Sequence, residues 1–252
     1  LGWARMLAGP TAAVDDRLAS PRCAAGMHQR VSRKRRAAPS FLDPRGGRAG
    51  RSPALGALSA GAWFLDFNSA SPGAKQRAAA QVDGAGGRYV EAAVMTSIPP
   101  YRIKVPLLLG GSHAAALAPL LAGLGFVATV ASEQLGVASA TKMCRSVMIK
   151  GLEAMVIESF TAARAYGVED AVLASLQETF PGIDWEKQGA YFFQRVIEHG
   201  RRRGEEVREV AETVREIGLT PWSAEGTAER QAWVADLADE GLFGTRGTPT
   251  FA

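Results

Sequence analysis

The feature that most constrains the fold is a 34-residue stretch, residues 133–166, that carries only seven charged side chains. Gly167 follows it directly, and glycine is the residue that most readily ends a helix. Such length and apolar character predict one long helix that is buried on several sides. The rest of the chain must therefore supply elements that cover it.

Further helices are predicted after this stretch, over residues 169–179, 184–199, 202–217 and 222–240. The alternation of Glu and Arg over residues 205–216 is typical of a solvent-exposed helix face. His199 and residues 201–203 are expected at a helix end, where positive charge either caps the helix or contacts an anionic substrate or a partner subunit. We predict an all-α C-terminal domain over residues 132–252.

Strands and helices alternate between residues 59 and 131. Short apolar runs predict strands at residues 62–67, 88–94, 105–109 and 126–130. Ser71 and Pro72 predict the start of a helix that ends near Asp83, and Ser112 predicts the start of a second helix. The alternation favours an α/β fold with a partial Rossmann-like sheet, followed by the all-α domain.

Residues 1–58 differ from the rest of the chain in charge. The first 51 residues have a net charge of +8, whereas residues 52–252 have a net charge of −4. The run Arg33-Lys34-Arg35-Arg36 is compatible with nucleic-acid binding or nuclear import, but no aromatic residues interleave with the charges for base stacking. We expect a disordered tail or a segment that is not native coding sequence, and no nucleic-acid partner.

The cysteines, the histidines and the lengths of the apolar runs exclude several classes of protein. The two cysteines, Cys23 and Cys144, imply no disulfide framework, which favours a reducing cytoplasm. No apolar run is long enough to span a bilayer, and the N-terminus lacks the order of a signal peptide. Three widely spaced histidines predict no metal site. We expect a cytoplasmic protein that has no membrane partner.

Lys142 lies in the middle of the long apolar stretch and is the strongest candidate for chemistry. A lysine in such a place reaches solvent, pairs with an acid or serves a function. Burial lowers the pKa of an ammonium group, and this suits proton transfer. Four polar residues share its helix face by spacing: Ser139, Arg145, Ser146 and Glu153. The face is either the wall of a site or a boundary at which Lys142 meets solvent.

Several motifs resemble those of the β-hydroxyacid dehydrogenases, which include the 3-hydroxyisobutyrate and 6-phosphogluconate dehydrogenases. Residues 136–146 (GVASATKMCRS) resemble the catalytic-lysine motif of this family. Residues 64–72 (FLDFNSASP) resemble its strand and turn beside the nicotinamide, and residues 89–97 (YVEAAVMTS) resemble its substrate-binding strand and turn. Three later stretches resemble the 6-phosphogluconate-dehydrogenase-like subgroup with its own C-terminal domain: residues 145–154, 180–185 and 199–203.

The resemblance implies an NAD(P)-dependent oxidoreductase that acts on a small hydroxy acid or a related polar substrate, with NAD or NADP as cofactor. Lys142 would be the general acid or base at the substrate hydroxyl, and Asn68 and Ser69 would lie near the nicotinamide ribose. The positions that would face the substrate are Met95, Thr96, Ser97, Arg145 and Ser146. A homodimer is also expected, because so apolar a helix needs covering on all sides.

The chain departs from the family pattern at three places. Ser146 stands where the family has Asn, and Arg145 beside it either pairs with an acidic substrate or has a structural role. Residues 95–97 stand where the family has Ser-Gly-Gly. No Gly-x-Gly-x-x-Gly turn follows a strand, and residues 1–58 occupy its place. The nucleotide-binding half is therefore expected to be truncated or aberrant. The alternative to an active enzyme is a catalytically impaired, dimerising remnant of the family.

Overall fold

A computed structural model describes residues 59–243 of the chain. Strands and helices alternate as far as Ser132, and all later elements are helices. The strands are β1 (Trp63–Asp66), β2 (Arg88–Val94), β3 (Leu107–Gly110) and β4 (Ala128–Ser132). The helices are α1 (Pro72–Gly84), α2 (Ile98–Tyr101), α3 (Ala114–Gly123), α4 (Val137–Tyr166), α5 (Glu169–Thr179), α6 (Trp185–Glu216) and α7 (Trp222–Asp239). A 3-10 turn, Arg102–Lys104, follows α2. The predictions for residues 1–58 lie outside the described residues.

The four strands form one sheet in the order β1-β2-β3-β4. β1 and β2 are parallel, as are β3 and β4, whereas β2 and β3 are antiparallel. Each parallel pair is joined through a helix, α1 or α3, as parallel pairing requires. The short α2 and the 3-10 turn suffice to join the antiparallel pair. The predicted α/β fold with a partial sheet, followed by an all-helical region, is confirmed, and the sheet is mixed.

β2 is covered on both of its faces, because successive side chains of a strand point in opposite directions. Val90 and Ala92 belong to a buried apolar cluster with β3 and α3. Tyr89 belongs to a second cluster, which includes Ala79 and Val82 of α1. A charged residue in this strand therefore needs a partner within the protein.

The predicted start of α3 was wrong by one residue. Its first residue is Ala114 and its N-cap is His113, whereas Ser112 was expected to cap it. A turn intervenes, in which the Ala114 N–H donates to the Gly111 carbonyl at 3.0 Å. Gly111 has a φ of 110°, which glycine adopts at little cost.

α6 is one continuous helix where two helices were predicted. Gly200 lies at the predicted interruption, but it serves the packing of α7. A Cβ at Gly200 would lie only 2.7 Å from the Gln231 carbonyl oxygen. The positive charges expected at a helix end lie inside α6 instead, and Arg201 pairs with Asp236 at 2.7 Å and Asp239 at 2.6 Å.

The change to all-helical structure at residue 132 does not coincide with the limits of the compact units. The sheet unit contains residues 59–151 and 202–229, and the helical unit contains residues 152–201 and 230–243. The helical unit has its own apolar core, which includes Phe160 of α4. None of the helices between residues 59 and 243 is long and apolar enough to cross a membrane.

Candidate active site

Lys142 lies in the second turn of α4 and contacts the turn that follows β1. Its Nζ donates a hydrogen bond to Ser69 Oγ at 2.6 Å. Both side chains are half-buried in the sheet unit. The Lys142 amine is therefore held against the chain rather than extended into solvent.

Burial lowers the pKa of Lys142 to about 8. The neighbouring Glu206 carboxylate opposes this shift, whereas three nearby cations add to it: Lys150, Lys75 and Arg202. An amine with a pKa near 8 is present in both protonation states close to neutral pH. This is the property that a proton-transfer group requires.

Glu206 of α6 partly compensates the positive charge near Lys142. Its carboxylate accepts a hydrogen bond from Lys150 Nζ at 2.7 Å and also pairs with Arg202. Burial tends to raise the pKa of Glu206, but the attraction of Lys150, Arg202 and Lys142 outweighs burial and holds this pKa below its usual value. The carboxylate is therefore ionised at neutral pH.

Asp66, the last residue of β1, holds the turn that carries Asn68 and Ser69. Asp66 Oδ1 accepts hydrogen bonds from the Asn68 backbone N–H at 2.9 Å and from Asn68 Nδ2 at 2.8 Å. Bonds of this kind between an aspartate and the residue two positions later stabilise tight turns. Asn68 remains exposed.

Asp66 is itself part of a buried ion pair. Lys75 Nζ lies 2.9 Å from Asp66 Oδ2, and the Tyr89 hydroxyl donates to the same oxygen at 2.6 Å. The side chains of Asp66 and Lys75 are only 4% and 3% exposed. Burial tends to raise the pKa of Asp66, but Lys75, Tyr89 and the Asn68 amide together hold it below its usual value. For Lys75 burial dominates and lowers the pKa.

The N-terminus of α1 is closed by carboxylates of α6. The N-cap Ser71 accepts from the Ala74 N–H at 3.3 Å and donates from Oγ to Glu216 Oε1 at 2.6 Å. The Gly73 N–H donates to Glu216 Oε2 at 2.9 Å, and the Ser71 N–H donates to Glu209 Oε2 at 3.3 Å. A Cβ at Gly73 would overlap with Glu216. The position that an external anion would take at this helix is therefore filled by the protein.

Glu91 of β2 closes the N-terminus of α4 in a similar way. Its Oε1 accepts from the Gly136 N–H at 2.8 Å and from the Ala138 N–H at 3.2 Å. Its Oε2 accepts from the Ser139 N–H at 3.3 Å. Glu91 is 1% exposed, so three backbone donors satisfy a carboxylate that has almost no access to water.

The predicted substrate-facing residues are not joined to Lys142 by side-chain contacts. The Met95 N–H donates to the Pro106 carbonyl at 3.1 Å, which extends the pairing of β2 with β3. Thr96, Ser97 and Arg145 are exposed, and Ser146 is half-buried. Within residues 59–243, no hydrogen bond or ion pair connects these side chains with Lys142. Their role in substrate binding stays a prediction.

Two other polar residues of the Lys142 face have structural partners. Ser139 is buried, and its Oγ donates to the Gly136 carbonyl at 3.0 Å. Glu153 belongs to the helical unit, where it lies 3.4 Å from Arg195 Nε and accepts from Gln231 Nε2 at 3.3 Å. Ser139 therefore supports the start of α4, and Glu153 supports the interior of the helical unit.

Sequence reasoning missed Asp66, Lys75 and Glu91. A signal for Glu91 was present, because it is the one acidic residue in the buried run 89–93, and a charge in a buried strand requires a partner. A similar signal was present for Asp66, which is a charged residue at the end of the preceding apolar strand. Lys75 gave no such signal, because lysine is an ordinary residue on a helix surface.

The described residues fit only the nicotinamide end of a dinucleotide. Asn68 and Ser69 form a partly exposed turn beside the Lys142 amine. Their side chains offer hydrogen-bonding groups to a small polar ring. A pyrophosphate needs free N–H groups at a helix N-terminus. At α1 these groups are occupied by Glu209 and Glu216, and residues 59–243 contain no Gly-x-Gly-x-x-Gly turn.

Known proteins share both this fold and its helical continuation. Residues 163–234 match a family model described as "Domain of unknown function (DUF1932)". A conserved hypothetical protein from Sinorhizobium meliloti 1021 is 43% identical, with a TM-score of 0.62 over 68% of this chain and 57% of that chain.

Two further solved structures connect the chain with dehydrogenases. A conserved protein of unknown function, described as structurally similar to 3-hydroxyacid dehydrogenases, is 27% identical, with a TM-score of 0.57 over 70% of this chain and 67% of that chain. The 3-hydroxyisobutyrate dehydrogenase of Mycobacterium tuberculosis, solved with L-serine, shares the fold at 16% identity, with a TM-score of 0.57 over 75% of this chain and 71% of that chain.

The partial sheet followed by helices matches the fold of this dehydrogenase. This likeness in fold agrees with the resemblance to the β-hydroxyacid dehydrogenases that the motif around Lys142 predicted. The chain spans 57% of the length of the Sinorhizobium protein, so it corresponds to only part of that relative.

Proposed function

We propose that this chain is an NAD(P)-dependent oxidoreductase for a small hydroxy acid or a related polar substrate, in which Lys142 is the general acid and base. The observation that supports this proposal best is the 2.6 Å hydrogen bond from Lys142 Nζ to Ser69 Oγ, made by an amine whose pKa is lowered to about 8. Such an amine takes a proton from a hydroxyl, and returns it in the reverse direction, near neutral pH.

Oxidation of an alcohol removes a hydride from carbon and a proton from oxygen. The chemistry that NAD(P) supplies when bound is acceptance of that hydride. Neutral Lys142 accepts the proton, which prevents an alkoxide charge from building up. The neutral amine keeps an N–H for Ser69 while its lone pair points elsewhere for the substrate proton.

The remaining roles are those that the resemblance to the β-hydroxyacid dehydrogenases implies. Asn68 and Ser69 are assigned to the nicotinamide ribose, and the exposed residues Thr96 and Ser97 to the substrate, together with Met95, Arg145 and Ser146. Arg145 has no ion-pair partner in the part of the chain that the structure describes. Its guanidinium is therefore available for an acidic group of the substrate.

The proposal predicts that the chain binds NADPH or NADH with a Kd on the order of 1 µM to 1 mM, the usual range of KM values for enzyme substrates. Asn68→Ala is expected to weaken the binding of the dinucleotide several-fold while leaving ADP binding unchanged, because ADP lacks both the nicotinamide and its ribose. Fluorescence titration of both dinucleotides, with ADP as competitor, measures this difference. Lys187→Ala, at an exposed residue of the helical unit, is the matched control and should bind like the wild type.

The second candidate function is a catalytically impaired, dimerising remnant of the family. The observation that favours it is the occupied N-terminus of α1, where Glu209 and Glu216 take the anion position. Absence of binding at millimolar NADPH and NADH would contradict the oxidoreductase and favour the remnant.

We also propose that the chain forms a homodimer through an apolar face of α4. Met155 and Tyr166 are 63% and 84% exposed and lie three helical turns apart on the helical unit. Light scattering after size exclusion should give twice the chain mass of 26.6 kDa. The double variant Met155→Glu, Tyr166→Glu should be a monomer, whereas Lys187→Glu should stay a dimer. A dimeric double variant would exclude this face.

A further inference from the structure

We infer that Glu91 is a positioning residue for Lys142, and that the missing side chain at Gly110 is required for Glu91 to act. The inference rests on the function proposed for Lys142. Glu91 does not contact Lys142 in the structure, so its effect is transmitted through the start of α4.

The contact between Glu91 and α4 anchors the helix that carries Lys142. The first N–H groups of any helix have no partner within the helix, and here three donors bind one carboxylate. A negative charge at this end is also favoured by the helix dipole. Lys142 lies five residues into α4, so the anchored first turn determines where its side chain begins.

The residue paired with Glu91 in the sheet, Asp66, fixes the turn that carries Ser69, the acceptor of the Lys142 hydrogen bond. Glu91 and Asp66 are register partners in the parallel pairing of β1 with β2. Asp66 holds the turn that carries Ser69, whereas Glu91 holds the helix that carries Lys142. The carboxylates of Asp66 and Glu91, on neighbouring strands, thereby position both residues of the 2.6 Å hydrogen bond from Lys142 to Ser69.

Gly110, on the neighbouring strand β3, leaves room for the Glu91 carboxylate because it has no side chain. It is the register partner of Glu91 in the antiparallel pairing of β2 with β3. A Cβ at Gly110 would overlap with Glu91 Oε1 and lie 3.0 Å from both Cγ and Cδ. Glycine weakens a strand, so its presence here is explained by the close approach of this side chain.

The first experiment compares Glu91→Ala, Gly110→Ala and the double variant in steady-state kinetics. Each single variant is expected to lower kcat by about 10- to 100-fold through a misplaced Lys142, with the KM for NADPH changed less than about threefold. In the Glu91→Ala background, Gly110→Ala should have almost no further effect, because the carboxylate that it displaces is gone. Independent, multiplicative effects of the two substitutions on kcat would overturn the inference.

The second experiment does not depend on turnover. The rate at which acetic anhydride labels Lys142 is measured against pH by mass spectrometry, with exposed Lys187 as the internal control. In the full-length wild type the labelling midpoint should lie near 8. In Glu91→Gln and in Gly110→Ala it should move upward, toward the ordinary lysine value of about 10.4, because the amine leaves its half-buried place.

The two experiments separate failure of the inference from failure of the proposed function. An unchanged Lys142 labelling midpoint in folded Glu91→Gln and Gly110→Ala would overturn the positioning role, whatever the activity. A shifted midpoint, in a protein whose turnover is unaffected by Lys142→Ala, would support the positioning role and reject the proposed chemistry. Gly110→Ala is the second variant if Glu91→Gln unfolds, because the added Cβ meets only the flexible Glu91 side chain.

Discussion

Replacement of Lys142 by alanine is expected to lower kcat for hydroxy acid oxidation by about 100- to 10,000-fold, the usual contribution of a positioned general base. Ser69 cannot replace the amine, because a serine hydroxyl is far too weak a base at neutral pH. In the wild type, the oxidation rate should rise with pH through about 8, because the neutral form of Lys142 accepts the proton. The reductive direction uses the ammonium form, so its rate should fall through the same pH.

Lys142→Arg and Lys187→Ala are the controls for this prediction. Arginine keeps the positive charge but cannot be deprotonated in a protein, so Lys142→Arg should be nearly as inactive as the alanine variant. Lys187→Ala removes an exposed lysine and should leave the kinetics unchanged. Circular dichroism establishes that each variant is folded. Normal turnover in folded Lys142→Ala would reject the general acid and base role.

Lys75→Met is expected to lower the free energy of unfolding by about 3–5 kcal/mol, the usual result of leaving one member of a buried ion pair behind. The Asp66 carboxylate is 4% exposed, so water cannot replace the lost ammonium. Tyr89 and the Asn68 amide still donate to Asp66, which favours the lower end of this range. Urea unfolding at neutral pH measures the change.

Two variants test whether the loss comes from the buried pair. The double variant Lys75→Met, Asp66→Asn should lose clearly less than the sum of the single variants, because no charge is then left unpaired. Arg164→Met breaks a surface pair with Glu169 and should lower the free energy of unfolding clearly less than Lys75→Met does. A Lys75→Met protein as stable as Arg164→Met would show that the pair contributes little.

Local signals in the sequence predicted most of the elements around the candidate site. The spacing of apolar residues gave β2 at residues 88–94, and Ser71 with Pro72 gave the start of α1, where Ser71 does cap the helix. Gly167 ends α4 with a φ of 68°. These features depend on residues close in sequence, and the same is true of the charge in an apolar helix that singled out Lys142.

The features that were missed depend on residues far apart in sequence. Apolar spacing does not give strand direction, so the antiparallel pairing of β2 with β3 could not be read from it. No local pattern reveals that Asp66 and Glu91 share a rung, or that Glu216 reaches back to Ser71. A glycine in a helical sequence either ends the helix or lets another helix pack closely, and the sequence does not distinguish the two. Gly200 allows α7 to approach and does not interrupt α6.

The sheet unit is built from two pieces of chain, and this has a consequence for how it folds during synthesis. Residues 152–201 leave the ribosome after Lys142 and before Glu206, Glu209 and Glu216. A nascent chain synthesised only as far as residue 201 therefore has no carboxylate partners for the N–H groups of Ser71 and Gly73 at the start of α1, and Lys142 lacks the compensating charge of Glu206. Translation must complete the second half of α6, residues 206–216, before these groups are satisfied, so we expect the sheet unit to mature late, in common with other folds dominated by distant contacts.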